Sequence, residues 1–430
     1  MSAPARAFRI DGAWGAFESR RTDEPRSLAI VDGRIASIAL RVDAPPHAER
    51  VDASGLWVLP GWIDIQLNDI EWLARGRQDP ADHAARIRGV LAYQAARGVT
   101  GCVLATLAAP LEEIDAYLAG MRRVLDGTDA NDGVLLGALV EGTFMNPAFH
   151  GAHNPEWVLP PSIAVFERLH ASGALRLINV APEASPEALE VIAHATRRGA
   201  IVGCGHAKPH AECVRAAIEA GLRYVIHLGN GPTGSHLKRF HDGGLLEETL
   251  RNDALIASII VDGWHVHPQL IRDWIARKEL SRVIAVSDAG FALGPPRSAF
   301  EVFGVRGEPA GEGAYLRVVP RDGAPPGNPL SSDAGALFGS AVGMREVFEN
   351  LVNLLTTAMP GVYRRSHAAY DLASAVRSAS RLCSTNPAML LGLSDRGALV
   401  EGRRGDVILA RIEGAPGEYR VAVERVLTGS

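Results

Sequence analysis

The chain reads as an α/β protein: a (β/α)₈ TIM barrel carrying a small β-sandwich domain formed from both termini. Three observations predict this. Eight short apolar runs recur between Trp57 and Asp288, most of them rich in Val and Ile and too short for helices. Amphipathic stretches with helical spacing, such as Asp82 to Arg97 and Ser185 to Arg198, lie between the runs. The two ends of the chain carry β segments with turn signals instead.

In order, the runs are Trp57 to Ile65, Val99 to Leu107, Val134 to Glu141, Leu175 to Val180, Ala200 to His206, Tyr224 to His227, Leu255 to Asp262 and Val283 to Asp288. Strand alternating with helix predicts parallel strands joined by crossover helices. Eight such units over this length fit a closed barrel better than an open sheet. Phe8 to Phe17, Ser27 to Ala39 and Leu399 to Leu427 flank the barrel, with turn signals at Asp32-Gly33 and Arg404-Gly405-Asp406. Chain termini commonly lie close together. Residues 1–56 and 396–430 are therefore assigned to one β domain, and residues 57–395 to the barrel. Residues 292–330 hold two β-like runs, Ala299 to Val305 and Ala314 to Val319, and read as a hairpin excursion after the eighth strand. Asp333 to Asn386 reads as helical closure of the barrel.

The bulk numbers narrow the function classes. With 47% hydrophobic and 22% charged residues, 430 residues allow one large core and a smaller domain. A net charge of −5 with interspersed signs gives no polyanion-binding surface, so a small molecule is the expected partner, not nucleic acid. The first residues lack an apolar core of the signal type, and no run of 18 apolar residues exists; neither a secretory signal nor a membrane span is expected. Cys102, Cys204, Cys213 and Cys383 show no metal or disulfide spacing and read as thiols in a reducing cytoplasm.

The chemistry sits at strand ends. Strand C-termini of a barrel converge on one face, where active sites are built. The first run leads into Gln66-Leu67-Asn68, the third ends at Glu141, the fifth at His206, the sixth at His227 and the eighth at Asp288, while His265 closely follows the seventh. One carboxylate and two imidazoles, Glu141, His206 and His227, form a ligand set for catalytic zinc or a similar divalent ion. Asp288 suits a general base that later returns the proton to a leaving amine.

Several of these segments carry a family likeness. Leu59-Pro60-Gly61-Trp62-Ile63-Asp64-Ile65-Gln66-Leu67-Asn68 is similar to the first-strand signature of the amidohydrolase superfamily, with Gln-x-Asn where most members have His-x-His. That variant resembles the N-acetylglucosamine-6-phosphate deacetylases. Val140-Glu141-Gly142, Asn146-Pro147, Gly151-Ala152-His153-Asn154-Pro155, Ala181-Pro182-Glu183, Gly205-His206-Ala207, His227-Leu228-Gly229-Asn230, Asp262-Gly263-Trp264-His265 and Ser287-Asp288-Ala289 follow in that family's order. Phe338-Gly339-Ser340 and Gly402-Arg403-Arg404-Gly405-Asp406 extend the likeness over nearly the whole chain.

The resemblance implies a metal-dependent deacetylase of an N-acetyl amino sugar. It implies one divalent ion on Glu141, His206 and His227, zinc first, with Fe, Mn, Co or Ni as alternatives. It makes Asp288 the acid and base, places His153 at the substrate amide and His265 at sugar hydroxyls, and gives Asn230 and Gly231 to substrate. Gln66 and Asn68 line the place of the second metal in relatives. A homodimer is the expected assembly. Two loops depart from the pattern. After His227 the family's Glu-Pro-Gly is missing, and Lys238, Arg239 and His241 are the phosphate candidates of a longer loop. After Asn68, Trp72 either reshapes the pocket or packs on a barrel helix. A non-phosphorylated N-acyl substrate is the closest alternative, and a metal-binding barrel without catalysis is the reading from another class.

Overall fold

The computed structural model describes residues 7–17, 24–76, 78–129, 131–230, 242–319 and 336–429. Strands β1 (Phe8–Gly15), β2 (Arg26–Val31), β3 (Arg34–Ala39), β4 (Glu49–Asp52) and β5 (Trp57–Pro60) precede the barrel. The barrel strands are β6 (Trp62–Leu67), β7 (Val99–Thr106), β8 (Leu135–Phe144), β9 (Leu175–Val180), β10 (Ile201–Cys204), β11 (Leu222–Val225), β12 (Ile256–Ile260) and β13 (Val283–Val286). All pair in parallel, in sequence order. A parallel bridge between Leu67 and Ala289, with Asn68 N–H donating to Ala289 O at 2.9 Å, joins the first strand to the last. This is the predicted barrel.

Period-two alternation explains why the runs are apolar throughout. Ile63, Ile65, Val103, Ala105, Leu139, Leu177, Tyr224, Ile260, Ile284 and Val286 form one buried cluster along the barrel axis. Their strand neighbours, such as Leu104, Val140, Ile178, Val202, Val225 and Ile259, join a second cluster with the helices. Ala388 and Leu391 enter the axial cluster from the closing helical segment.

The first apolar run divides at Gly61. Residues 57–60 pair antiparallel with β17 (Val407–Glu413), and only Trp62 onward enters the barrel. A Cβ at residue 61 would lie 2.1 Å from Thr100 Oγ1, so the crossing between sheets needs glycine. With β18 (Arg420–Leu427), these terminal strands make a seven-stranded sheet that branches at β1, which pairs β4 along its first half and β5 at its end. Leu59, Ile408 and Ala410 pack toward the barrel, while Val58, Val407 and Leu409 pack with Ile10, Leu28, Ile30 and Ile35. The two halves thus share one small core.

The expected hairpin excursion is a three-stranded antiparallel sheet, β14 (Phe300–Val302), β15 (Val305–Ala310) and β16 (Tyr315–Val318). It adjoins the C-terminal face of the barrel: Asn154 Nδ2 donates to Phe303 O at 2.8 Å, and Phe338 N–H to Leu316 O at 3.0 Å. Among the described residues no helix is long and apolar enough to cross a membrane.

Candidate metal centre and active site

Glu141 lies inside β8, on the face of Leu139, so its carboxylate enters the barrel axis. His206, His227 and Asp288 each lie two residues beyond the last residue of β10, β11 and β13. All three have positive φ, at +49°, +33° and +44°. Left-handed backbone at a non-glycine residue is costly, on the order of 1–3 kcal/mol, and persists only where the surroundings enforce it. Here it turns three side chains inward.

The result is a tight triangle. His227 Nε2 lies 2.9 Å from Glu141 Oε1 and 3.1 Å from His206 Nε2, and His206 Nε2 lies 3.4 Å from Glu141 Oε1. Ligand atoms about 2.0–2.1 Å from a tetrahedral ion stand roughly 3.3 Å apart, so these spacings fit one ion. All three residues are buried. His206 Nδ1 faces Phe149 O at 3.0 Å; a carbonyl only accepts, so Nδ1 carries the proton and Nε2 offers its lone pair. Burial alone would raise the Glu141 pKa, but the two imidazoles outweigh it and hold the carboxyl below its ordinary range. Anionic carboxylate and imidazole lone pairs aimed at one point are satisfied by a cation.

The amides of β6 hold carboxylates. Gln66 Nε2 donates to Glu141 Oε1 at 3.1 Å, and Asn68 Nδ2 to Asp288 Oδ1 at 3.1 Å. Burial, then the charge of Glu141, pushes the Asp288 carboxyl well above its ordinary range, which suits a group that must carry a proton. His153 Nδ1 accepts the Ala108 N–H at 3.1 Å, so its proton is on Nε2. Gly142 permits that arrangement: a Cβ there would sit 1.9 Å from Ala108 N. Burial and the neighbouring His206 push the His153 pKa down to about 3, so the ring is a neutral donor. His265 Nδ1 donates to Asp262 Oδ2 at 2.7 Å, and Asp262 Oδ1 takes the N–H groups of Trp264 and His265 at 2.8 and 2.9 Å.

Asn230 N–H donates to His227 O at 2.9 Å, and its buried Nδ2 has no hydrogen-bond partner among the described residues. Gly231, Lys238, Arg239 and His241 lie outside the described residues. Trp72 packs against the barrel helix Pro80–Ala95, its Nε1 donating to His83 Nδ1 at 2.8 Å. Cys204 is a buried core thiol.

Two residues that bear on the site were not singled out from the sequence. Asn179 Nδ2 donates to Glu141 O at 3.2 Å while its Oδ1 accepts Gly205 N–H at 2.7 Å. Ser258 Oγ accepts His227 N–H at 2.8 Å. Asp64 lies below the site with Ser287 Oγ donating to it, and burial pushes its carboxyl from 3.8 up to about 6. The folded pKa exceeds the free one, so this group stabilises most below pH 4 and its contribution, about 3 kcal/mol, is lost as pH rises through 6. Asp64→Asn should remove that slope, which denaturant unfolding at pH 4 and pH 7 measures against the parent chain.

A family model described as the amidohydrolase family matches residues 57–417. The chain belongs to the amidohydrolase family. This amidohydrolase is accordingly a metal-dependent hydrolase of amide C–N bonds. It is similar to the N-acetylglucosamine-6-phosphate deacetylase of Lysinibacillus sphaericus, at 24% identity over 90% of this chain and 89% of that one. It is 28% identical to an N-acetylgalactosamine-6-phosphate deacetylase of Escherichia coli, over 90% of each chain. The fold is shared with the N-acetyl-D-glucosamine-6-phosphate deacetylase of Mycobacterium smegmatis solved with its sugar phosphate, at TM-score 0.75 and 23% identity over 97% of this chain and 99% of that one. It is shared too with the Pasteurella multocida enzyme, at TM-score 0.76 and 20% identity over 97% and 100%.

Proposed function

We propose that this amidohydrolase removes the acetyl group of an N-acetyl amino sugar, the 6-phosphate of N-acetylglucosamine or a close analogue, releasing acetate and the free amine. The observation that carries it is the buried triangle of Glu141, His206 and His227 with Asp288 and the Nε2–H of His153 in the same pocket region. The relatives' substrates support the sugar phosphate.

Glu141, His206 and His227 would hold one divalent ion, zinc by their carboxylate and imidazole donors, which would supply Lewis acidity and lower the pKa of water at the site. Asp288 takes a proton from the attacking water and delivers it to the departing nitrogen. His153 donates its Nε2–H to the amide carbonyl oxygen, where negative charge grows. Gln66 and Asn68 fix the orientations of Glu141 and Asp288. Asn230 and His265 meet the sugar oxygens. Gly231 adds a backbone contact, and Lys238, Arg239 and His241 are the proposed phosphate grip. The buried free thiols accord with a cytoplasmic setting, and a homodimer is the proposed assembly, on the family resemblance alone.

His153→Ala should lower kcat by about 100- to 1,000-fold with a much smaller change in KM, because the donor serves charge that develops in the transition state. Acetate release from a panel of N-acetyl sugars with and without 6-phosphate tests the substrate. The phosphorylated sugars should be turned over with higher kcat/KM. Equal turnover of the plain sugars would favour the non-phosphorylated substrate class, and no turnover of any would remove the deacetylase reading.

A further inference from the structure

Glu183 lies three residues beyond the end of β9, half-buried, and belongs to none of the groups used above. Its Oε1 accepts two hydrogen bonds, from Asn146 Nδ2 at 3.0 Å and from the Lys208 N–H at 2.5 Å. Asn146 opens the loop that carries His153. Its N–H donates to His206 O at 3.0 Å, and its Oδ1 takes the Ala148 N–H at 3.0 Å. In the same loop, Phe149 O receives the His206 Nδ1 proton. One carboxylate oxygen thus ties together the loops after β8, β9 and β10. His206 sits at their junction, between Asn146 on its carbonyl, Phe149 on its ring and Lys208 two residues on.

The position matters because His206 adopts positive φ, uncommon for any residue but glycine and kept only where the surroundings hold it. The tie therefore has to come from neighbours. Glu183 Oε2 has no hydrogen-bond partner among the described residues, so the hold runs through Oε1 alone. We infer that Glu183 is a positioning residue for the metal centre: by fixing Asn146 and the Lys208 backbone it aims His206 Nε2 at the ion. The inference rests on reading Glu141, His206 and His227 as the ligands. A residue that orients a ligand without touching the metal commonly contributes 10- to 100-fold in metal affinity.

The experiment measures zinc affinity by competition with a chromophoric chelator, alongside the melting temperature of the metal-free protein. Glu183→Ala should bind zinc about 10- to 100-fold more weakly, with a metal-free melting temperature close to that of the parent. Glu183→Gln, which keeps an oxygen acceptor, should recover most of the affinity. Should Glu183→Ala not fold, Asn146→Ala removes the donor to Glu183, along with the Oδ1 that takes the Ala148 N–H, and is expected to show the same weakening. Unchanged zinc affinity, or a loss matched by an equal fall in metal-free stability, overturns the inference while leaving the ligand assignment standing. A parent chain that takes up no zinc overturns both.

Discussion

Asp288→Asn should lower kcat on the true substrate by about 100- to 10,000-fold, the usual worth of a positioned proton-transfer group, while leaving metal content and melting temperature near those of the parent. The substitution conserves shape. Asn68 Nδ2, which donates to Asp288 Oδ1 at 3.1 Å, can donate to the asparagine oxygen in the same place. What is lost is the ability to accept and release a proton. The carboxyl is placed for that work by the +44° backbone at residue 288, and burial keeps its proton affinity high. A steady-state assay of acetate release with parallel metal analysis checks it. Retention of near-parent kcat would assign the proton transfer to another group.

Glu141→Gln should weaken metal binding by more than about 100-fold and reduce turnover to background. Removing a partner that only orients a ligand already costs 10- to 100-fold, and here a ligand itself is changed. Gln66 and His227 both lie against Glu141 Oε1, at 3.1 and 2.9 Å, and each depends on the negative charge there. With a neutral amide, two imidazole nitrogens remain 3.1 Å apart with no anion to balance a dication. Stripping the parent chain with a chelator should give the same loss, reversed by added zinc. Metal analysis and turnover before and after chelation check both expectations.

Much of this centre was legible in the sequence because a polar residue ending an apolar run is conspicuous. His206, His227 and Asp288 each follow directly on a Val- and Ile-rich strand, and barrel geometry brings such ends together, whereas Glu141, read as the end of the third run, lies inside β8, which continues to Phe144. The roles of Gln66 and Asn68 were less legible: the resemblance gives their positions to the place of a second metal in relatives, but only coordinates show that their amides hold the two carboxylates. Asn179 and Ser258 sit inside apolar runs, and a single buried polar residue on a strand gives no hint of which backbone group it serves. The break of the first run at Gly61 was hidden for a related reason. Both halves are apolar and extended, and pairing with β17 instead of β7 leaves no trace in periodicity. Trp72 offered two readings, and its bond to His83 selects packing.

The central claim is that Glu141, His206 and His227 share one ion. Anomalous diffraction from crystals of the zinc-loaded chain, recorded at the zinc edge, tests it directly. One strong peak is expected within bonding distance of all three side chains, and none between Gln66 and Asn68. A peak elsewhere, or a second ion held by those two amides, would contradict it.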